Sequence, residues 1–133
     1  MRVFTDTNFL LSALIFRGFS ADLFNIILKR HQLVFNELVK EEFMQKLEFK
    51  FKASDKTLSK LSQEIDSLEV VKDHFRIEFS LRDKKDEIIL ASAIYSKCDV
   101  LLTGDKDLLE VSSTVTKIKI LSPREFWEKY HGS

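Results

Sequence analysis

Residues 2–11, RVFTDTNFLL, decide how the rest of the chain is read. Residues 2–5 form a short β-rich run whose apolar pair, Val3 and Phe4, leads straight into Asp6, Thr7 and Asn8. From residue 8 to 16 the sequence turns apolar again, now with helical spacing. A strand that ends in a carboxylate and feeds a helix suits the opening unit of an α/β fold.

The same alternation continues along the chain. QLVFN (32–36), LEVV (68–71), DVLLT (99–103) and KIKIL (117–121) read as four further strands, each bounded by polar residues. Segments 20–30, 37–50, 55–67, 86–97 and 123–130 carry helical periodicity. In 55–67, Leu58, Leu61, Ile65 and the following Leu68 recur at three- and four-residue steps, with Ser54 and Asp55 as caps, the pattern of a surface helix. EIILASAIY (87–95) is nearly continuous in apolar residues and carries small Ala91, Ser92 and Ala93, the pattern of a helix packed closely on a sheet and covered on its far side. Alternating strands and helices predict a parallel sheet with helices on both faces, with ligands outside the carboxyl ends of the strands.

The length of 133 residues suits a single domain with a real core. Acids and bases balance at 21 each, so no overall field announces a nucleic-acid partner or a disordered acidic tail. One cysteine, Cys98, gives neither an intramolecular disulfide framework nor a cysteine zinc site, and His31, His74 and His131 lie too far apart for a local ligand motif. With no leader-like N-terminus and no apolar run of membrane-spanning length, a cytoplasmic protein without a membrane partner is expected.

Several acids fall where such a sheet would expose them. Asp6 follows the first strand, and Asp105 follows the fourth through Thr103 and Gly104, so both are expected at one carboxyl edge, where each also suits a helix cap. At about 100° per residue, with Leu38 as zero, Glu42 falls at about 40°, between Leu38 and Val39 on the buried side. A carboxylate there needs a metal or a partner, for which Lys46 one turn on is the local candidate. Asp86 stands at the start of the 86–97 helix, a position that capping alone explains, while Asp83 competes for that role but reads as a solvated charge between Arg82 and Lys84.

If Asp6, Glu42, Asp86 and Asp105 converge, electrostatics sets the next step. Two carboxylates about 4 Å apart repel by roughly 4 kcal/mol at an effective dielectric near 20, so some must protonate or a cation must bind. Oxygen donors without His or Cys suit Mg²⁺ or Mn²⁺, ions that typically hold a phosphate as well. Phosphodiester hydrolysis is the chemistry such a site supports.

VFTDTNFLLSALI, FNELVKEEFMQKL, RDKKDEIILASAI and LLTGDKDLL resemble, in order and approximate spacing, the successive motifs of the PIN-domain nucleases, and ILSPREFW resembles the closing segment of a bacterial branch similar to the VapC-type toxins. The resemblance covers nearly the whole chain as one nuclease domain, residues 1–133. It implies a Rossmann-like three-layer α/β/α sandwich around a central parallel sheet of about five strands. It further implies an acidic tetrad of Asp6, Glu42, Asp86 and Asp105, serving both catalysis and metal binding, supported by Asn8, Thr103 and Asp107. Members of the family are Mg²⁺- or Mn²⁺-dependent ribonucleases, often homodimers, and the toxins among them are silenced by a cognate antitoxin. Asn36 departs from the branch, which commonly carries Ser there.

Two other readings are open to the same residues. An aspartyl-phosphate phosphatase also begins with an Asp after its first strand, but wants a second acid where this chain has Asn8. A non-catalytic RNA- or protein-binding module on the same scaffold suits the balanced charge, with Arg82, Lys84, Lys85 and Lys106 as the basic groups beside the acids in sequence. Of the 12 phenylalanines most are expected in the core. Phe16 and Phe19 beside Gly18, and Phe49 and Phe51 near a helix end, are expected there too, with a partner surface as the alternative.

Overall fold

The structure, a computed structural model, describes residues 1–76, 78 and 80–131. All five expected strands are present: β1 (Arg2–Thr5), β2 (Gln32–Asn36), β3 (Glu69–Val71), β4 (Val100–Leu102) and β5 (Lys119–Leu121). They form one parallel sheet in the order β3-β2-β1-β4-β5, with Val3 aligned to Leu33 on one side and Val100 on the other. Val3, Phe4, Val34, Phe35, Val100, Leu101 and Leu102 are fully buried. That is why the inner strands read as continuous apolar runs, since both faces of a parallel sheet are covered.

The helices are α1 (Thr7–Leu14), α2 (Phe19–Arg30), α3 (Glu37–Gln45), α4 (Asp55–Asp66), α5 (Lys84–Tyr95), α6 (Lys106–Glu110) and α7 (Pro123–Tyr130). Right-handed crossovers in this strand order put α1 to α4 on one face and α5 on the other, giving the three-layer sandwich. α4 buries Leu61 and Ile65 below a Ser54 cap, whose hydroxyl accepts from the Thr57 amide. α5 buries Ile89, Leu90, Ala91, Ser92 and Ala93, as its uniform apolar sequence requires. Among the described residues no single helix is long and apolar enough to cross a membrane, and the apolar α1 and α2 are bent against each other by 104°.

Three elements depart from the sequence reading. The helix expected over 37–50 ends at Gln45 and continues as a π-helical turn, Lys46–Lys50. α6 shows no periodic segment of its own, because five residues are too short for one, and only the cap reading of Asp105 points to it. α5 starts two residues early because Asp83 is its cap, accepting from the Lys85 amide at 2.9 Å, and not merely a solvated charge. Asp86 is thereby moved into the first turn of the helix and released from capping.

Phe19 and Phe51 pack against the core, but Phe16 is 54% and Phe49 72% exposed, against the expectation that all four are core. Asn36 shows why the departure from Ser is tolerated. Fully buried at the end of β2, it caps α3 by accepting from the Val39 amide at 3.0 Å and donates through Nδ2 to Ser92 Oγ on α5 at 3.1 Å. Asn36→Ala is expected to cost about 1–3 kcal/mol, read as a lower urea midpoint at unchanged slope, because the cap and a buried donor are lost together.

Candidate metal centre

β1 and β4 are neighbours at the point where the strand order reverses, the place where an open α/β sheet leaves a crevice at its carboxyl edge. β1 delivers Asp6 there and β4 delivers Thr103, Gly104 and Asp105. Both acids are caps, as the sequence allows. Asp6 Oδ1 accepts from the Phe9 amide at 3.0 Å, and Asp105 Oδ1 accepts from the amides of Asp107 and Leu108 at 2.9 and 3.2 Å. Capping leaves the second oxygen of each carboxylate for other work.

Thr103 ties the two acids together. Its buried hydroxyl donates to Asp6 Oδ2 at 2.6 Å and accepts from the Asp105 amide at 3.0 Å. The tight turn that Asp105 caps folds Asp107 back beside it. With Asp86 from the first turn of α5, carboxylate oxygens of Asp86, Asp105 and Asp107 all lie within 4.8 Å of one another. Asp6, only 6% exposed, stands close enough to feel the charge of Asp105 and Glu42.

Burial and crowding show in the ionisation of these groups. Burial first, then the charges of Asp105, Asp83, Asp107 and Asp6, push the Asp86 carboxyl up to about 7. Burial likewise raises Asp6, against the Thr103 hydroxyl and Phe9 amide that favour its anion. Among the described residues no lysine or arginine forms an ion pair with the Asp86, Asp105 and Asp107 triad. Three converging oxygen donors, one of them buried, with no cationic partner and no His or Cys, fit a hard divalent cation such as Mg²⁺ or Mn²⁺.

Glu42 lies half-buried on α3 and is held differently. Its Oε2 takes an ion pair from Lys85 Nζ at 3.1 Å, so its partner is Lys85 on α5 and not the local Lys46. Burial opposes its ionisation, but Thr7, Lys85 and the charge of Lys46 outweigh it and hold the carboxyl below the usual range. The buried Thr7 hydroxyl leans on that carboxylate without meeting full hydrogen-bond geometry with any described residue. Lys46 Nζ reaches Asn8 Oδ1 at 3.5 Å, on the first turn of α1.

Arg82, Lys84 and Lys106 are exposed beside these acids in sequence, whereas Lys85 is engaged with Glu42. Asp107 had only a supporting place in the sequence reading, yet its carboxylate is one of the converging three. The Asp-x-Asp spacing of GDKD, with the first Asp as a cap, was the available signal.

The family model described as PIN domain matches residues 2–107. No curated protein matches the chain significantly. Among solved structures, the fold aligns with a chain from VapBC2 of Rickettsia felis bound to a DNA fragment from their promoter. The TM-score is 0.65 at 15% identity, over 92% of this chain and 98% of that one, a likeness of fold across the whole domain.

Proposed function

This chain belongs to the PIN domain family, and from that premise we propose that it is a divalent-metal-dependent endoribonuclease, the toxin of a toxin–antitoxin pair. The observation that carries the reading is the carboxylate triad of Asp86, Asp105 and Asp107 at the reversal point of the sheet, beside Asp6. The fold likeness to a chain of the VapBC2 complex supports an antitoxin partner, and self-association as a homodimer belongs to the same reading.

Asp86, Asp105 and Asp107 would hold Mg²⁺ or Mn²⁺, with Asp6 beside them. Such an ion, when bound, polarises the phosphoryl oxygen and acidifies an attacking water. The chain's own residues set the stage. Thr103 fixes Asp6 and the Asp105 backbone in one arrangement, so neither acid has to be ordered when substrate arrives. With its carboxyl pushed up to about 7, Asp86 is about half protonated near neutrality, and a bound cation would take the place of that proton. Glu42 stays ionised on the opposite helix, screened by Lys85. Arg82, Lys84 and Lys106 supply positive charge for the RNA backbone.

The direct test is incubation with single-stranded RNA in Mg²⁺ or Mn²⁺, with and without EDTA. Cleavage that EDTA stops and excess Mn²⁺ restores is expected. Tight RNA binding indifferent to chelator, with no cleavage under any condition, would instead favour the non-catalytic binding module.

A further inference from the structure

The π-helical turn Lys46–Lys50 and the two residues after it read KLEFKFK, lysines alternating with the aromatics Phe49 and Phe51 and interrupted by one acid, Glu48. Leu47 is buried in the core and Phe51 packs partly against it. Phe49 is 72% exposed, Lys50 lies 5.8 Å from the centroid of the Phe51 ring, and Lys52 leaves the turn with a positive φ of 51°. Phe51 meets the exposed Phe16 edge to face, ring centroids 5.8 Å apart. A π-turn and a non-glycine residue in the left-handed region are both features that packing alone does not favour, and both concentrate at functional sites.

The patch is continuous with the acidic centre. Lys46, its first residue, reaches Asn8 at the start of α1, and Phe16 lies just beyond the end of the same helix. From Asn8 to Leu14, the last residue of α1, the helix rises about 9 Å, and Phe16 follows two residues later. Positive groups on the turn and the exposed rings of Phe49 and Phe16 match a strand of phosphates with unstacked bases, the chemistry of single-stranded nucleic acid. A protein partner for Phe16 and Phe49 gives no account of the three lysines set among them, and a duplex offers no free base faces to the rings.

Resting on the ribonuclease reading above, we propose that the turn Lys46–Lys50, with Phe51, Lys52 and Phe16, is a stacking track along which single-stranded RNA approaches the carboxylates. Bases stack on Phe49 and Phe16, and Lys46, Lys50 and Lys52 follow the backbone.

The test measures binding of a fluorescent single-stranded RNA of mixed sequence, and of its annealed duplex, to the full chain in EDTA across a range of salt. Phe49→Ala is expected to weaken single-strand affinity by about 5- to 150-fold, and the duplex far less. Lys50→Ala with Lys52→Ala is expected to flatten the salt slope by about 1.4, two phosphate contacts on a single strand. Asp105→Asn is the control that loses cleavage while still binding. Because Phe49 is exposed, its truncation should leave the melting temperature unchanged, which circular dichroism checks. If the native chain cleaves RNA but these variants bind it as tightly as before, the track is wrong and the ribonuclease reading stands. If the native chain neither binds nor cleaves, both fall. Unchanged RNA affinity with an altered sedimentation coefficient would give the patch to a second copy of the chain and overturn the proposal.

Discussion

Asp86→Asn is expected to abolish RNA cleavage, by roughly 10³-fold or more, while raising the melting temperature of the metal-free chain at neutral pH. The first effect follows from removing a carboxylate from the triad, where, on the proposed function, several kcal/mol of transition-state stabilisation would rest on the cation it would help hold. The second follows from the sign of its ionisation. Asp86 is 8% exposed, and its carboxyl is pushed up to about 7 by burial and then by its acidic neighbours. A carboxyl raised on folding contributes stability only while protonated. That stability is fully present below the ordinary carboxylate range and is lost as pH climbs from about 4 to about 7, an upper bound near 4 kcal/mol.

Asparagine keeps the shape and cannot ionise, and among the described residues no hydrogen bond to the Asp86 carboxylate is given up. The gap between variant and parent should therefore widen from pH 5 to pH 8 in EDTA, read by thermal melts followed by circular dichroism. A variant less stable than the parent at every pH would make Asp86 a structural residue. An acid whose ionisation would weaken the metal-free fold makes physical sense at this point of the sheet where a cation completes it.

Much of this arrangement was open to a sequence reading, and the parts that were not share a cause. The five strands were legible because parallel strands buried on both faces must be apolar throughout, as Val100, Leu101 and Leu102 are. Asp6 and Asp105 were legible because a strand end fixes where the next residue emerges. What failed depended on choices between near neighbours or on distant pairs. Asp83 and Asp86 are both reasonable caps three residues apart, and only the folded loop shows that Asp83 takes the cap and turns Asp86 inward. Glu42 has Lys46 at the helical spacing that local rules favour, but α5 brings Lys85 closer from 43 positions away. Asp107 joins the triad through a helix of five residues, too short to announce itself. Phe16 and Phe49 look like core by composition, and their exposure is a property of the tertiary surface alone.

Saturating Mn²⁺ is expected to raise the melting temperature of the native chain by roughly 10 °C, since a ligand at 100 times its Kd adds about 2.7 kcal/mol to a domain of this size. The shift should be small at pH 5 and full at pH 8, because the cation must displace the proton that Asp86 holds up to about 7. The variants then decide which acids are ligands. Asp105→Asn and Asp107→Asn should each lose most of the shift if the oxygens that already lie within 4.8 Å of one another form the site. Glu42→Gln should keep it, because that carboxylate is satisfied by Lys85 and stands on the far helix. The converse result, with Asp107→Asn keeping the metal shift and Glu42→Gln losing it, would mean that Glu42 leaves Lys85 to join Asp6, Asp86 and Asp105. The ligands would then be the four acids that the sequence resemblance implied, assembled only when the cation arrives.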